Sequence, residues 1–349
     1  MKVFRYPGNP IIEPKDIRPF LKDYEVIGVF NAGVMRYKDE ILLLLRVAER
    51  PVHHDPDVGL SPYFDVVNHR MEVNQLKKGA PGYDFSDARG IGTPDGSLLT
   101  SLSYLRIARS KDGLHFTIDD RPALFPENQY EIYGIEDCRI TQIHDTYFIN
   151  YSAVSNLGIT TCLASTKDFA LIQREGVIFQ PDSKNIVIFP EKINGKYYAL
   201  HRPSGSSFGK PNMWVAESPD LLCWGNHRYL MGCRPGQWDE ARIGASCVPI
   251  KLEQGWLEIY HGADTNNRYC LGAVLLDAEQ PWRVIARSKR PLLEPETDYE
   301  KEGFFGNVVF SCGALHEDSV VKIYYGAADT SMCYAEIEIG EIERLLEDV

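Results

Sequence analysis

The sequence predicts an all-β fold, a five-bladed β-propeller forming one domain over residues 1–349, and three observations lead there. First, a short pattern, A-x-[ST]-x-D, recurs as ARSKD from Ala108, ASTKD from Ala164 and AESPD from Ala216. A looser copy, AVLLD, begins at Ala273, and AEIEI from Ala335 keeps the alanine but lacks the acid. Second, ahead of each copy runs a polar turn followed by an aliphatic or aromatic strand: KDEILLLLR, HDTYFINYS, NGKYYALHR, EQGWLEIYHG and EDSVVKIYYG. Third, no stretch before the C-terminal GEIERLLEDV keeps a helical period over three turns.

Repeats of roughly 50 to 60 residues, each holding about four strands, have the size of propeller blades. Within each unit the polar turn joins two strands into a hairpin, and Asn-Gly in NGK is a strong turn signal. The first unit is long, so the segment around 49–100, containing PVHHDPDVGLSPYFDVVNHRMEVNQ, reads as a rim insertion. A pair of β-sandwiches is the competing architecture, and five alanines in order speak against it.

Composition excludes several classes. A net charge of −12 and a pI near 5.3 argue against nucleic acid and anionic membrane as partners. The longest apolar runs, such as ILLLLRVA, are too short to span a bilayer. The N-terminus MKVFRYPGNPIIEP has no apolar signal-peptide core. Eight cysteines stand singly, with no CxxC pair, which reads as reduced thiols in a cytoplasmic protein and not as a metal or disulfide framework. A homo-oligomer is compatible with all of this.

The innermost strand of each blade would line a central channel, and the segments ahead of the hairpin turns are the candidates: VFNAGVMRY, GIEDCRITQI, NIVIFPEKI, RIGASCVPI and NVVFSCGAL. Several open on polar residues: Asn31, Glu136 with Asp137, Lys184 with Asn185, Arg242 and Asn307. Side chains alternate faces along a regular strand, so only one of Glu136 and Asp137 should face the channel, with Arg139 on the face of Asp137. Lys184, Arg202, Arg242 and His261 are expected to come from three later blades at equivalent positions. Four donors focused on one spot in an acidic protein suit an anion, most naturally phosphate.

GIEDCRIT at 134–141 resembles the G-x-E-D-P-R-x-T signature of glycoside hydrolase family 130, with Cys138 in the proline position. VIFPEKINGKYYALHRP at 187–203 and YYGAADT at 324–330 are similar to further parts of that family, and the likeness extends over nearly the whole chain. The resemblance implies a five-bladed propeller and an inverting β-mannoside phosphorylase that yields α-mannose 1-phosphate, with phosphate as co-substrate and no cofactor or metal. By motif position it makes Asp137 the catalytic acid, its proton passing through the mannose 3-hydroxyl. It makes Lys184, Arg202, Arg242 and His261 the phosphate ligands, Lys184 and Arg242 being basic-for-basic exchanges on the family's arginine and lysine. Asp329 would hold the mannose at the cleavage point, with Asn31, Arg46 and Asp264 as further sugar contacts; without the family, Arg46 reads as a wall salt bridge.

The chemistry is consistent with one acid. Inverting hydrolysis needs an acid and a base, but phosphate is already a charged nucleophile. β-1,2-Mannobiose or short β-1,2-mannooligosaccharides are the favoured substrates. Alternatives are β-1,4-mannooligosaccharide or mannosylglucose phosphorolysis, β-1,2-mannoside hydrolysis and, outside enzymes, a non-catalytic sugar-binding propeller. Rim residues His53, His54, Asp55 and Tyr63, with Asp65, are expected to overhang the acceptor side; the HHD run there is read as hydrogen-bonding rim, without a regular element to fix metal ligands.

Overall fold

The structure, a computed structural model, describes residues 3–52, 54–204 and 207–349 and is all-β. His53 therefore lies outside the described residues. Five antiparallel meanders follow one another along the chain. The first holds Tyr24–Tyr37, Glu40–Pro51, Leu102–Ser110 and Thr117–Ile118. The second holds Gly134–Ile143, Thr146–Ser155, Gly158–Thr166 and Gln173–Phe179. The third holds Ser183–Ile188, Tyr197–Pro203, Met213–Ser218 and Gly225–Met231. The fourth runs Arg242–Ala245 with Ile250–Leu252, then Gly255–Ala263, Tyr269–Leu276 and Val284–Ser288, with Leu346–Asp348 on its edge. The fifth holds Val309–Glu317, Val320–Ala327 and Ser331–Glu338, and the N-terminal Phe4–Arg5 pairs on its edge.

The repeat seen in sequence has a physical job in each meander. Ala108, Ala164, Ala216, Ala273 and Ala335 all lie on third strands, buried, opposite Leu43, Ile149, Ala199, Ile259 and Ile323 of the second. The acid four residues on caps the turn to the fourth strand. Asp112 accepts from the amides of Leu114 and His115, Asp168 from Ala170, Asp220 from Leu222 and Cys223, and Asp277 from Glu279 and Gln280. Where the pattern has serine or threonine, Ser110, Thr166 and Ser218 accept from the backbone amide three residues on. The fifth copy lacks the acid because no such turn follows; the chain enters the short helix Ile339–Glu343 instead. The hairpin turns are also as expected: Asn194 and Gly195 both adopt positive φ, 51° and 81°, which a two-residue hairpin turn of mirror-image type demands.

Apolar faces pack between consecutive meanders. One core joins the first and second, another the second and third, and so on to the fourth and fifth. A further core, with Val29, Leu43 and Tyr104 against Tyr324, Met332 and Tyr334, brings the fifth meander back onto the first. The inner strands of all five are thereby drawn to one centre. Among the described residues no helix is long and apolar enough to cross a membrane.

The insertion differs from its sequence reading, for it contains two hairpins between the second and third strands of the first meander. Val58–Asp65 pairs Arg70–Lys77, and Gly90–Thr93 pairs Gly96–Leu99. Pro62 obscured the first of these in sequence; a two-stranded hairpin tolerates it because each strand is an edge.

Gly134 opens the acid-bearing strand at φ 120°, where its backbone forms the short parallel link to Ser103. A Cβ there would lie 2.8 Å from the Ser103 amide nitrogen and carbonyl oxygen. We predict that Gly134→Ala lowers stability by about 1–3 kcal/mol, the scale of a residue forced into a sparsely populated φ/ψ region. A melting temperature equal to that of the wild type refutes this.

Candidate active site

At the centre the inner strands break their alternation. Asn31, Asp137 and Asn185 occupy equivalent places with left-handed φ of 49°, 46° and 56°. At each the pairing register slips, between Phe30 and Gly33, Glu136 and Arg139, and Lys184 and Val187. Asn and Asp accept this conformation more readily than other non-glycine residues. A bulge sets two residues against one partner and re-aims side chains. That corrects the sequence reading: Glu136 and Asp137 both face the cavity.

The cavity has a volume of about 790 Å³ and is lined from all five meanders and from the insertion. One wall is acidic. Arg46 donates from Nη1 to Asp137 Oδ1 at 2.9 Å, from Nη2 to Glu136 Oε1 at 2.8 Å and from Nε to Ser103 Oγ at 3.0 Å. Its guanidinium lies 4.7 Å from the Phe30 ring centroid. Asn31 Nδ2 donates to Asp137 Oδ1 at 3.0 Å. Burial pushes the Asp137 carboxyl up, but the charges of Arg46 and Arg139 and the two hydrogen bonds outweigh it and hold it below the usual carboxylate range. Asp329, at φ 47°, is raised to about 6, chiefly by burial, with Arg46 opposing and Asp137 adding to the rise.

The opposite wall is basic. Two meanders supply it, not the three expected from sequence: Lys184 and Arg202 come from paired positions of adjacent strands of the third, Arg242 and His261 from adjacent strands of the fourth. Arg202 is buried and its Nε has no partner; burial, then the nearby Arg242 and Arg139, lower it to about 10. Lys184 is lowered by burial and by Arg202. His261 is fully buried and held far below its ordinary value, first by burial and then by Arg202, Arg139, Lys184 and Arg242, so the ring is neutral. Its Nδ1 faces Ser246 Oγ at 3.0 Å. With the Asn185 amide turned to satisfy its neighbours, the Asn185 oxygen accepts from His261 Nε2 at 3.1 Å and from Arg202 Nη1 at 3.1 Å. Arg242 donates to Tyr269 Oη at 2.9 Å and to Asn267 Oδ1 at 3.0 Å. Among the described residues none of Lys184, Arg202 or Arg242 forms an ion pair with a carboxylate. A buried cation without counter-charge, as Arg202 is, is costly, and an anion beside it removes that cost.

The structure thus brings together Asn31, Arg46, Asp137, Lys184, Arg202, Arg242, His261 and Asp329. Five other sequence candidates do not line the cavity. Asp264 caps its own turn, accepting from the amides of Asn266 and Arg268 at 2.9 and 3.0 Å. Asp65 does the same for Val67 and Asn68 at the tip of the first hairpin. His54 and Asp55 line a separate surface depression beside Arg50 and Lys78, and Tyr63 lies on the first hairpin away from the cavity. The part of the insertion that does reach the site was missed: Asp84, Asp87, Arg89 and Ser101 line the cavity. Arg89 pairs with Asp87 at 2.8 Å and lies 3.7 Å from the Phe305 ring centroid. In sequence this segment, DFSDARGIGTPDG, is dominated by turn formers, with no periodicity to aim a side chain.

A polar cavity with carboxylates along one wall and uncompensated cations along the other defines a protein that binds a hydroxyl-rich ligand beside an anion. The family model for glycoside hydrolase family 130, described as beta-1,4-mannooligosaccharide phosphorylase, matches residues 97–348, and the chain belongs to that family. It is 53% identical over 351 residues to a beta-1,2-mannobiose phosphorylase of Listeria innocua, covering 99% of both. It is 43% identical over 245 residues to a 1,2-beta-oligomannan phosphorylase of a Thermoanaerobacter species, covering 69% of this chain and 81% of that one. The solved structure of the Listeria innocua enzyme in complex with beta-1,2-mannobiose superposes with a TM-score of 0.97 at 52% identity over 99% of each chain.

Proposed function

We propose that the chain is a five-bladed propeller phosphorylase that cleaves β-1,2-mannobiose, and short β-1,2-mannooligosaccharides, with inorganic phosphate and inversion at the anomeric carbon. The cyclic succession of cores from the first meander round to the fifth supports the propeller. The observation that carries the activity is the set of cations without a carboxylate partner among the described residues, buried Arg202 with partly buried Lys184 and Arg242, beside neutral His261 and facing the Asp137 wall. Similarity over the full chain to a β-1,2-mannobiose phosphorylase supports the linkage, whereas the β-1,4-mannooligosaccharide phosphorylase of Ruminococcus albus is 35% identical over 67% of this chain.

In this reading the cradle holds phosphate behind the anomeric carbon. A phosphate oxygen forms the new bond to that carbon as the glycosidic bond breaks, its electron pair leaving with the bridging oxygen. Asp137 supplies the proton that oxygen needs, relayed through the mannose 3-hydroxyl as the family resemblance implies. The products are α-mannose 1-phosphate and the shortened acceptor. No general base is required, because the cradle positions a nucleophile that is already charged. Asp329 and Arg46 border the mannose; Arg46 also holds the acid wall together. No metal or organic cofactor enters the scheme. All eight cysteines are free thiols, in keeping with a cytoplasmic setting.

Incubation of β-1,2-mannobiose with and without phosphate tests the reading. Cleavage should require phosphate and give the α-anomer of mannose 1-phosphate by NMR. Release of free mannose in phosphate-free buffer indicates the hydrolase instead. A second expectation concerns stability: phosphate alone should raise the melting temperature, the stabilisation growing with the logarithm of phosphate above its Kd and reaching about 2.7 kcal/mol at 100 times that Kd. A melting temperature indifferent to phosphate contradicts the cradle.

A further inference from the structure

Arg139 lies two residues beyond Asp137 and is almost completely buried. Its guanidinium has no carboxylate partner in the ion pairs of the described residues; its donors go to carbonyl oxygens. Nη1 donates to Asp137 O at 2.7 Å, Nη2 to Ala245 O at 3.0 Å and Nε to Ser246 O at 3.1 Å. Ser246 is a junction. Its amide donates to Glu258 Oε1 at 2.9 Å, and its hydroxyl faces His261 Nδ1 at 3.0 Å. Phe310 packs on both ends of the connection, 5.9 Å from the Arg139 guanidinium and 4.4 Å from the His261 ring. One side chain therefore ties the left-handed peptide that carries the acid to the end of the strand that carries Arg242 and, through the Ser246 hydroxyl, to the cradle histidine.

We infer that Arg139 is a positioning residue that registers the proton donor Asp137 against the anion cradle across the central cavity. The inference rests on the phosphorolysis reading, since registration matters only if acid and anion act on one bond. Inversion places donor and nucleophile on opposite sides of a single carbon, and their strands belong to the second and fourth meanders, which share no backbone pairing. A displacement of about 1 Å between reacting groups can cost on the order of 10²-fold in rate. A planar fork reaches three carbonyls at once; an ammonium on a flexible stem does not. The charged groups facing Asp137 are Arg46, Glu136, Lys184 and Asp329 from the cavity side and Arg139 from beneath.

Arg139→Lys and Arg139→Met separate geometry from charge. Both are assayed for phosphorolysis of β-1,2-mannobiose over a pH series, with phosphate and mannobiose varied independently and folding checked by thermal melting. Arg139→Lys should lose roughly 10- to 100-fold in kcat. It should also need more phosphate while its mannobiose KM stays near wild type, and the alkaline limb should stay in place because the charge is kept. Arg139→Met should show the same loss and move the alkaline limb to higher pH, since one cation facing Asp137 is gone. If Arg139→Met does not fold, Arg139→Lys decides alone. A folded Arg139→Lys with wild-type kcat and phosphate KM overturns the inference, as does a folded Arg139→Met with an unmoved limb. Failure of the phosphorylase reading itself appears in the wild type, as cleavage without phosphate.

Discussion

Arg202→Met is expected to raise the phosphate KM by about 10- to 100-fold while the mannobiose KM changes little. Hydrogen bonds to charged groups contribute roughly 1.5–3 kcal/mol each, and this substitution deletes the most deeply embedded cation of the cradle. The same change should leave the phosphate-free protein at least as stable as the wild type. Arg202 is buried, its Nε is unpartnered and its neighbours Arg242 and Arg139 repel it. An apolar chain of similar length removes that penalty, as replacement of buried ions by packed apolar groups often does. Steady-state kinetics with phosphate varied, together with melting curves in phosphate-free buffer, check both halves. A parallel rise in both KM values would mean that Arg202 holds the pocket's shape and not the anion.

The fold was legible because its repeats are physical units. An alanine small enough to sit beneath the neighbouring sheet, a hydroxyl and an acid that cap the next turn, and a polar hairpin turn recur together, and each leaves a trace in sequence. The members of the basic set were legible but not their placement: Lys184 and Arg202 are cross-strand partners in one meander and Arg242 and His261 come from adjacent strands in the next, where the repeat logic expected three meanders. What alternation could not show was the bulge. A strand with period two sends Glu136 and Asp137 to opposite faces, and only the slip between Glu136 and Arg139 turns both toward Arg46. The rim misled for a different reason. Asp65 and Asp264 are acids in turns, and backbone amides two to four residues on take them up locally before any sugar could.

The two walls of the cavity are electrostatically linked, and in the proposed mechanism the linkage sets the protonation of Asp137. Arg46 and Arg139 hold the Asp137 carboxyl below its ordinary value in spite of burial. A proton donor must carry its proton, so the pull of these two cations alone would favour activity only at acidic pH. Dianionic phosphate in the cradle neutralises positive potential and raises Asp137. The alkaline limb of kcat, measured with the anion bound, should therefore lie at higher pH than that of kcat/KM for mannobiose at low phosphate.

Asp137→Asn should reduce phosphorolysis of β-1,2-mannobiose by a factor on the order of 10² to 10⁴, the usual contribution of a positioned proton donor. The fold should persist, because asparagine accepts the left-handed φ of 46° that this position requires, as Asn31 and Asn185 do at the equivalent places. The phosphate KM should be nearly unchanged, since the cradle lies on the other wall. Glu136→Gln is the informative control. Glu136 shares Arg46 with the acid, so its loss should loosen Arg46 and have a smaller effect, without erasing the pH limb. Asp137→Asn should erase that limb. An aryl mannoside whose leaving group departs without protonation separates the acid from a merely structural role: the variant should cleave it far closer to wild-type rate than it cleaves mannobiose. Equal losses on the two substrates, or wild-type activity on mannobiose, would remove Asp137 from the position of the acid.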